Sequence, residues 1–333
     1  MNGASRAVVG IGNALVDVLS QASEEFVADQ GMVKGSMALI DTDRAVALYG
    51  AMGPGVEISG GSAANTMAGI ASFGGNAAFI GRVSRDQLGE VYTHDLRSAG
   101  VRFDTVPADG GMPSGRCLIL VTPDAQRTMN TYLGASAELG PDDVDVDLVR
   151  AAALTYLEGY LWDAPDAQAA YRFAAQVAHE AGRRVALTLS DAFVVDRHRA
   201  TFLELVEHDV DVLFANEAEI CSLYEVESFD DALQHVSRHC EIAALTRSEK
   251  GSVLLRGDEV HVIDASPVPG GHVVDTTGAG DLYAAGVLYG LTSGFDLGRC
   301  GRLGAVAAAE VISHLGARPE QPLARLAAPH LSG

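Results

Sequence analysis

Apolar and polar positions recur along the chain in two periods, and the switches between them map the elements. RAVVGIG (6–12) is an apolar run closed by glycines, which predicts a buried strand entering a turn. MALI (37–40) predicts a short strand, and 41–50 a short helix capped by Asp41 or Thr42. GGSAANTMAGIASFGG puts a turn at Gly60-Gly61, a cap at Ser62 and an Ala-rich helix stopping at Gly74-Gly75. AAFIGRV (77–83) predicts the next strand, and DQLGEVYTHDLRSAG (86–100) an amphipathic helix.

The pattern changes between 101 and 133. CLILV and QRTMNTY alternate with the period of strands, and TPDA between them is a turn sequence, so the two form a hairpin. With 33–40 they predict a separate small sheet, a lid. From about 141, helices near 142–151, 165–181, 196–208, 216–224 and 229–240 alternate with strands. Those strands lie near 153–158, 184–190, 211–215, 242–246, 252–256 and 259–263. Such alternation predicts a mostly parallel sheet with helices on both faces. Two Ala/Gly-rich helices follow at about 279–291 and 296–314. The fold class is therefore α/β, three layers with a small β-sheet lid. The expected division is a large α/β part of 1–12, 41–104 and 140–333, and a lid of 13–40 and 105–139.

Composition narrows the partners. Among 333 residues, 44 acidic side chains against 23 Lys and Arg leave a formal charge of −21, which repels nucleic acid and anionic membranes. Any phosphate site must then rely on backbone amides and helix N-termini. The opening MNGASRAVVGIGNALVD lacks the apolar core of a signal peptide, and no apolar run of about 18 residues exists to span a bilayer. Cys117, Cys221, Cys240 and Cys300 are scattered, as expected of reduced thiols in a cytoplasmic protein.

Several motifs fail. In GIGNAL the third glycine of a dinucleotide fingerprint falls on Leu15, and the two lysines, Lys34 and Lys250, stand outside any GK[ST] loop. His235, His239 and Cys240 are spaced for a metal but read as a solvated helix face.

DTTGAGDLYAAG (275–286) carries chemistry. An extended approach, a Gly278-Ala279-Gly280 turn and a helix start leave backbone amides facing outward at a positive dipole end, an anion hole. Asp281 in the first helical turn is badly placed to bind the anion. It is well placed to take a proton from a hydroxyl attacking it. Taken alone, the segment also reads, less readily, as a Gly-rich loop with an Asp favouring the helix start.

DTTGAGD resembles the C-terminal signature of the ribokinase-like (PfkB) carbohydrate/nucleoside kinase family, and GGSAANT (60–66) its N-terminal one. Asn216-Glu217-Ala218-Glu219 is similar to the family's NxxE motif. Thr246 to Gly251 is similar to its nucleotide loop, with Ser248 where glycine is usual. The four matches come in the family's order. Within the family the resemblance is strongest to adenosine kinases, through GNALVD (12–17), QRTMNTYLGAS (126–136), TLSDAF (188–193) and VDVLFANEAE (210–219).

The resemblance implies a ribokinase-like fold and a set of roles. Asp17, on the loop after the first strand, would accept a ribose 2′,3′-diol, with Asn13, Gly61 and Asn65 completing the sugar pocket. Met129, Thr131, Tyr160 and Trp162 are candidates, by side-chain type, to flank a purine, and read equally as core packing. Arg127 on the lid would reach the γ-phosphate. Asn216 and Glu219 would order Mg2+ through water, and Thr246, Arg247 and Gly251 would line ATP. Asp275, Thr277 and Gly316 would form a monovalent-cation site, K+ for example. Three functions stay open: an adenosine kinase, a kinase of another nucleoside or a sugar, and a non-catalytic nucleoside sensor. Either a monomer or a homodimer is compatible.

Overall fold

The structure, a computed structural model, describes residues 7–124 and 126–331. Arg6 of the first predicted strand and Ala125 of the predicted hairpin turn lie outside them. The strands are β1 (Val8–Ile11), β2 (Leu15–Gln21), β3 (Met37–Leu39), β4 (Gly55–Gly60), β5 (Ala77–Ile80), β6 (Gly115–Val121) and β7 (Arg127–Tyr132). They continue with β8 (Leu154–Glu158), β9 (Arg184–Thr188), β10 (Val212–Asn216), β11 (Ile242–Thr246), β12 (Ser252–Arg256) and β13 (Glu259–Ile263). The helices are α1 (Glu24–Asp29), α2 (Thr42–Ala51), α3 (Ser62–Ser72), α4 (Gln87–Ser98), α5 (Val146–Ala151) and α6 (Pro165–Glu180). After them come α7 (Ala192–His208), α8 (Glu217–Tyr224), α9 (Phe229–Val236), α10 (Ala279–Ser293), α11 (Leu297–Val311) and α12 (Leu323–Leu331).

The main sheet runs β13-β12-β11-β10-β9-β8-β1-β5. Its strands from β5 to β11 are parallel, and β12 and β13 add an antiparallel edge. Strands covered on both faces read as continuous apolar runs, as VVGI and IAAL do. Alternate side chains feed two cores. Val8, Tyr156 and Phe214 pack with α3, α4, α10 and α11, while Val9, Leu157 and Leu213 pack with α5 to α9. This is the ribokinase-like three-layer arrangement.

The second sheet runs β3-β7-β6-β2-β4. Two of its strands depart from the sequence expectation. Asp17 lies inside β2, not on a loop, and β4 with the helix α2 belongs with this sheet although 41–104 was assigned to the large part. EEFVAD and GVEISG carry too little apolar periodicity to announce an element; pairing with β2 makes the latter a strand. Register places Asp17, Leu19, Cys117, Ile119, Arg127, Met129, Met37 and Val56 on one face. The opposite face, with Val16, Val18, Leu118 and Leu120, packs against Val27 of α1 and Leu48 of α2.

Candidate active site

Three segments converge where the small sheet meets the C-terminal ends of the parallel strands, the crevice in which open α/β sheets bind ligands. The first is the start of α3. Gly61, at φ 96°, turns β4 into the helix, and a side chain there would collide with the Asn13 carbonyl. The second is the start of α10, where Gly278 takes φ 78°. The third is β2 with β7 of the lid.

Asp281 sits between the first two. Its carboxylate accepts from Ser62 Oγ at 2.6 Å and Asn65 Nδ2 at 3.0 Å. Ser62 is thus no helix cap: Gly61 holds that position, and the hydroxyl orients the carboxylate instead. Burial raises the Asp281 pKa, against the two hydrogen bonds and the Arg318 charge. Across the crevice, burial pushes Asp17 up to about 6, opposed by Arg127 and Arg318 and reinforced by Asp281. Two carboxylates therefore face one small volume.

At the anion loop, Ala279 N donates to the Thr276 carbonyl at 3.2 Å, and Leu282 N makes the first helical bond, to Gly278 O at 2.9 Å. Of the expected anion-hole residues Gly278, Ala279 and Gly280, Ala279 has its amide engaged in this turn. The amides of Gly278, Gly280 and Asp281 are those left over by a helix start.

Asn13 is 3% exposed. Its backbone N and Nδ2 donate to Glu158 Oε1 at 2.8 and 2.7 Å, and Ala63 N donates to Glu158 Oε2 at 2.7 Å. Ser136 Oγ completes the cluster on Asn13 Oδ1 at 3.0 Å. Glu158 therefore locks the loop after β1 to the start of α3; burial pushes its carboxyl up to about 7, against those donors. Sequence reasoning missed it. The signal was there: an acidic residue closing an apolar strand at the ligand-binding end of the sheet.

Of the predicted base-flanking residues, the structure separates one from three. Tyr160 is 38% exposed, and burial and the charges of Asp191, Asp281 and Glu219 raise its phenol. Met129 packs on Leu19 and Ile119 on the lid face that carries Asp17. Trp162, by contrast, is fully buried, stacked on Phe202 and bonded to Thr201. Trp162 is a core residue. Thr131 is buried beside Cys117 but lies on the same lid face as Asp17 and Met129.

Arg127 leaves the lid and pairs with Asp275, also donating to Thr277 Oγ1 at 3.0 Å. Asp275 further accepts from Gly316 N at 3.0 Å and from Thr277 N and Oγ1 at 3.0 and 2.7 Å. Both carboxylate oxygens are thus engaged, one by a guanidinium. These residues do not fit a monovalent cation while Arg127 is seated there, because two cations would share one carboxylate oxygen.

Asn216 and Glu219 form a capping box. Asn216 N and Nδ2 donate to Glu219 at 2.9 and 2.6 Å, and Glu219 N donates back to Asn216 Oδ1 at 2.9 Å. Burial pushes the Glu219 carboxyl up to about 7. Two acceptor sites of the carboxylate stay free, and Asn216 is exposed, a donor set that fits water-bridged Mg2+. Among the described residues no cluster of three or more acidic, His or Cys side chains could hold a metal alone. His239 instead bonds the Tyr224 hydroxyl at 3.2 Å.

Thr246 lies beside Asn216 on the neighbouring parallel strand, and Gly251 closes its loop. Arg247 turns away: it pairs with Glu217 at 3.1 Å and covers the Phe229 ring. Among the described residues no helix is long and apolar enough to cross a membrane, and all four cysteines are free.

A glycine-led helix start, a buried carboxylate beside it and a second small sheet over the crevice are the arrangement of a small-molecule kinase. The model of the pfkB family carbohydrate kinases matches residues 40–323, and the chain belongs to that family, whose members transfer a phosphoryl group to a hydroxyl. Among solved structures, adenosine kinase from Sinorhizobium meliloti is 53% identical with a TM-score of 0.89, covering 97% of this chain and 98% of that one. A probable sugar kinase protein from Rhizobium etli is 48% identical with a TM-score of 0.89 over the same shares. Adenosine kinase of Saccharomyces cerevisiae is 28% identical over 317 residues, 87% of this chain and 90% of its own.

Proposed function

We propose that the chain phosphorylates the primary hydroxyl of a ribose-containing molecule with ATP, and that adenosine is the acceptor. The observation that carries this is Asp281, held by Ser62 and Asn65 at the mouth of the anion loop. Asp281 takes the proton of the attacking hydroxyl. Asp17, opposite, accepts the ribose diol and Asn65 holds the sugar, while Asn13, bonded to Glu158 and Ser136, fixes the loop beside it. The amides at the α10 start and Arg127, released from Asp275, stabilise the transferring phosphoryl group. Thr246 and Gly251 border the nucleotide, and Mg2+ on Asn216 and Glu219 neutralises phosphate charge when bound.

A nucleoside is favoured over a free sugar by the lid face around Asp17. Leu19, Ile119 and Met129 lie there with Met37 and Val56, which are 51% and 62% exposed. A flat base would cover this apolar surface, whereas a bare pentose would leave it in water. The Rhizobium etli relative keeps a sugar kinase as the second reading. Helices α1 and α2 already cover the other face, which favours a monomer over a dimer built through that face.

The deciding experiment is turnover with ATP and adenosine, inosine, ribose or fructose. Adenosine should give the highest kcat/KM. A free sugar turned over better would overturn the assignment, and no turnover of any would favour a sensor.

A further inference from the structure

Arg318 lies two residues past Gly316, in the loop that buttresses Asp275. Its Nη1 donates to the Ala64 carbonyl at 3.0 Å, in the first turn of α3. Its Nη2 donates to the Ser59 carbonyl at 2.8 Å and to Ser59 Oγ at 3.1 Å, near the end of β4. Ser59 is 1% exposed and in turn donates N and Oγ to Asp95 of α4 at 2.8 and 2.6 Å. One guanidinium thus ties the lid strand next to β2 to the helix start that presents Ser62 and Asn65.

The charge is placed as deliberately as the fork. Tyr92 and Asp95 face Arg318 from α4, Asp17 from β2 and Asp281 from α10. Asp17 also faces Arg127 of β7, and Asp281 also faces Glu158 of β8. Burial raises both acceptor-side carboxylates, and like charges in a small volume add to that tendency. Arg318 lowers both. Three hydrogen bonds fix its planar fork, which a lysine could not reproduce.

We propose that Arg318 is a positioning residue for phosphoryl transfer: it holds β4 against the start of α3, so that Asp17 and Asp281 share one frame, and its charge offsets the pair. This rests on the roles proposed for those two carboxylates.

The test is the pH profile of kcat/KM for the best wild-type acceptor in Arg318→Met, Arg318→Lys and Ser59→Ala. In Arg318→Met the acidic limb should move up by about one pH unit. The acceptor KM should rise about tenfold, with the KM for ATP unchanged. Arg318→Lys should keep the limb near wild type while raising the acceptor KM. Ser59→Ala, which retains the charge, should raise KM without moving the limb. A limb that stays put in Arg318→Met, with kcat and both KM values altered together, would overturn the proposal. Should that variant not fold, unchanged acceptor KM in both Arg318→Lys and Ser59→Ala would overturn it instead. Asp281→Asn separates the two layers: near-normal turnover there sinks the base assignment, whatever Arg318 does.

Discussion

Arg127, on the lid, is paired to Asp275, in the loop that leads into the catalytic helix, across 148 positions of sequence. Burial pushes the Asp275 carboxyl up, but the Gly316 and Thr277 hydrogen bonds and the Arg127 charge outweigh it and hold the group below its usual range. The guanidinium therefore stands where a monovalent cation would need the same oxygen. Replacing KCl by choline chloride at equal ionic strength should leave the wild-type Tm unchanged. In Arg127→Ala the carboxylate is released, and KCl should raise Tm relative to choline. A wild-type protein stabilised by K+ would contradict this.

The carboxylate of Asp281 has two donors and no other job in the fold. Asp281→Asn keeps its size and one acceptor but cannot take a proton. Turnover should fall about 10²- to 10⁴-fold, while calorimetry shows acceptor binding within a few-fold of wild type. Loss of binding in step with turnover would make Asp281 a binding residue instead.

Activity and stability should respond to pH in opposite directions. Burial raises Asp17 to about 6, and Glu158 and Glu219 to about 7. In the unfolded chain such groups titrate near pH 4. Between those values the folded state binds more protons than the unfolded one, so stability falls as pH rises and increases from pH 8 to pH 6. Carboxyls held low, such as Asp275 and Glu217, are ionised in both states over this window and add no slope. Asp17 must be ionised to accept a diol, so kcat/KM should drop below about pH 6. Thermal melts and rates measured across pH 5.5–8 check both; a Tm that falls with the rate would refute the account.

Gly60 shows how closely the lid strands frame Asp17. A Cβ on Gly60 would lie 2.5 Å from the Asp17 carboxyl carbon. Gly60→Ala should therefore displace that carboxylate rather than break the strand. The expected result is an acceptor KM raised about tenfold, with the KM for ATP unchanged. An equal change in both would mean that the strand itself has shifted.

Most of the α/β layer was legible because its strands are buried on both faces and its helices have clear caps and glycine stops. The strand β4 was not, because its apolar alternation, Val56-Glu57-Ile58-Ser59, is only four residues long between glycines, and pairing with Leu15–Ser20 makes it a strand. Asn65 is hydrogen-bonded to Asp281, Asp17 lies near enough to feel its charge, and Asn13 is held by Glu158. Arg318 and Ser136 were invisible because each acts through partners far away in sequence, and no local pattern marks such a contact; Glu158 alone carried a local signal, as the acidic end of an apolar strand. Trp162 misled for the opposite reason: an indole in a strand-end loop reads as a stacking platform until Phe202 and Tyr171 are seen to bury it.

Ser248 is the point where this chain departs from its family's glycine, and the backbone records the departure. It adopts φ 52°, the left-handed region, at the start of the turn that Gly251 closes through Arg247 N to Gly251 O at 2.8 Å. A non-glycine residue in that region carries roughly 1 kcal/mol of strain. Ser248→Gly removes the strain but adds freedom to the unfolded chain, so the net gain should be about 0.5 kcal/mol. Ser248→Val, β-branched and unable to bond locally, should cost roughly 1–2 kcal/mol. Urea denaturation of the two variants checks the order. If valine were as stable as glycine, the turn would not require the left-handed conformation. The KM for ATP should follow the same order, because Thr246 and Gly251 depend on this turn for their place beside the nucleotide.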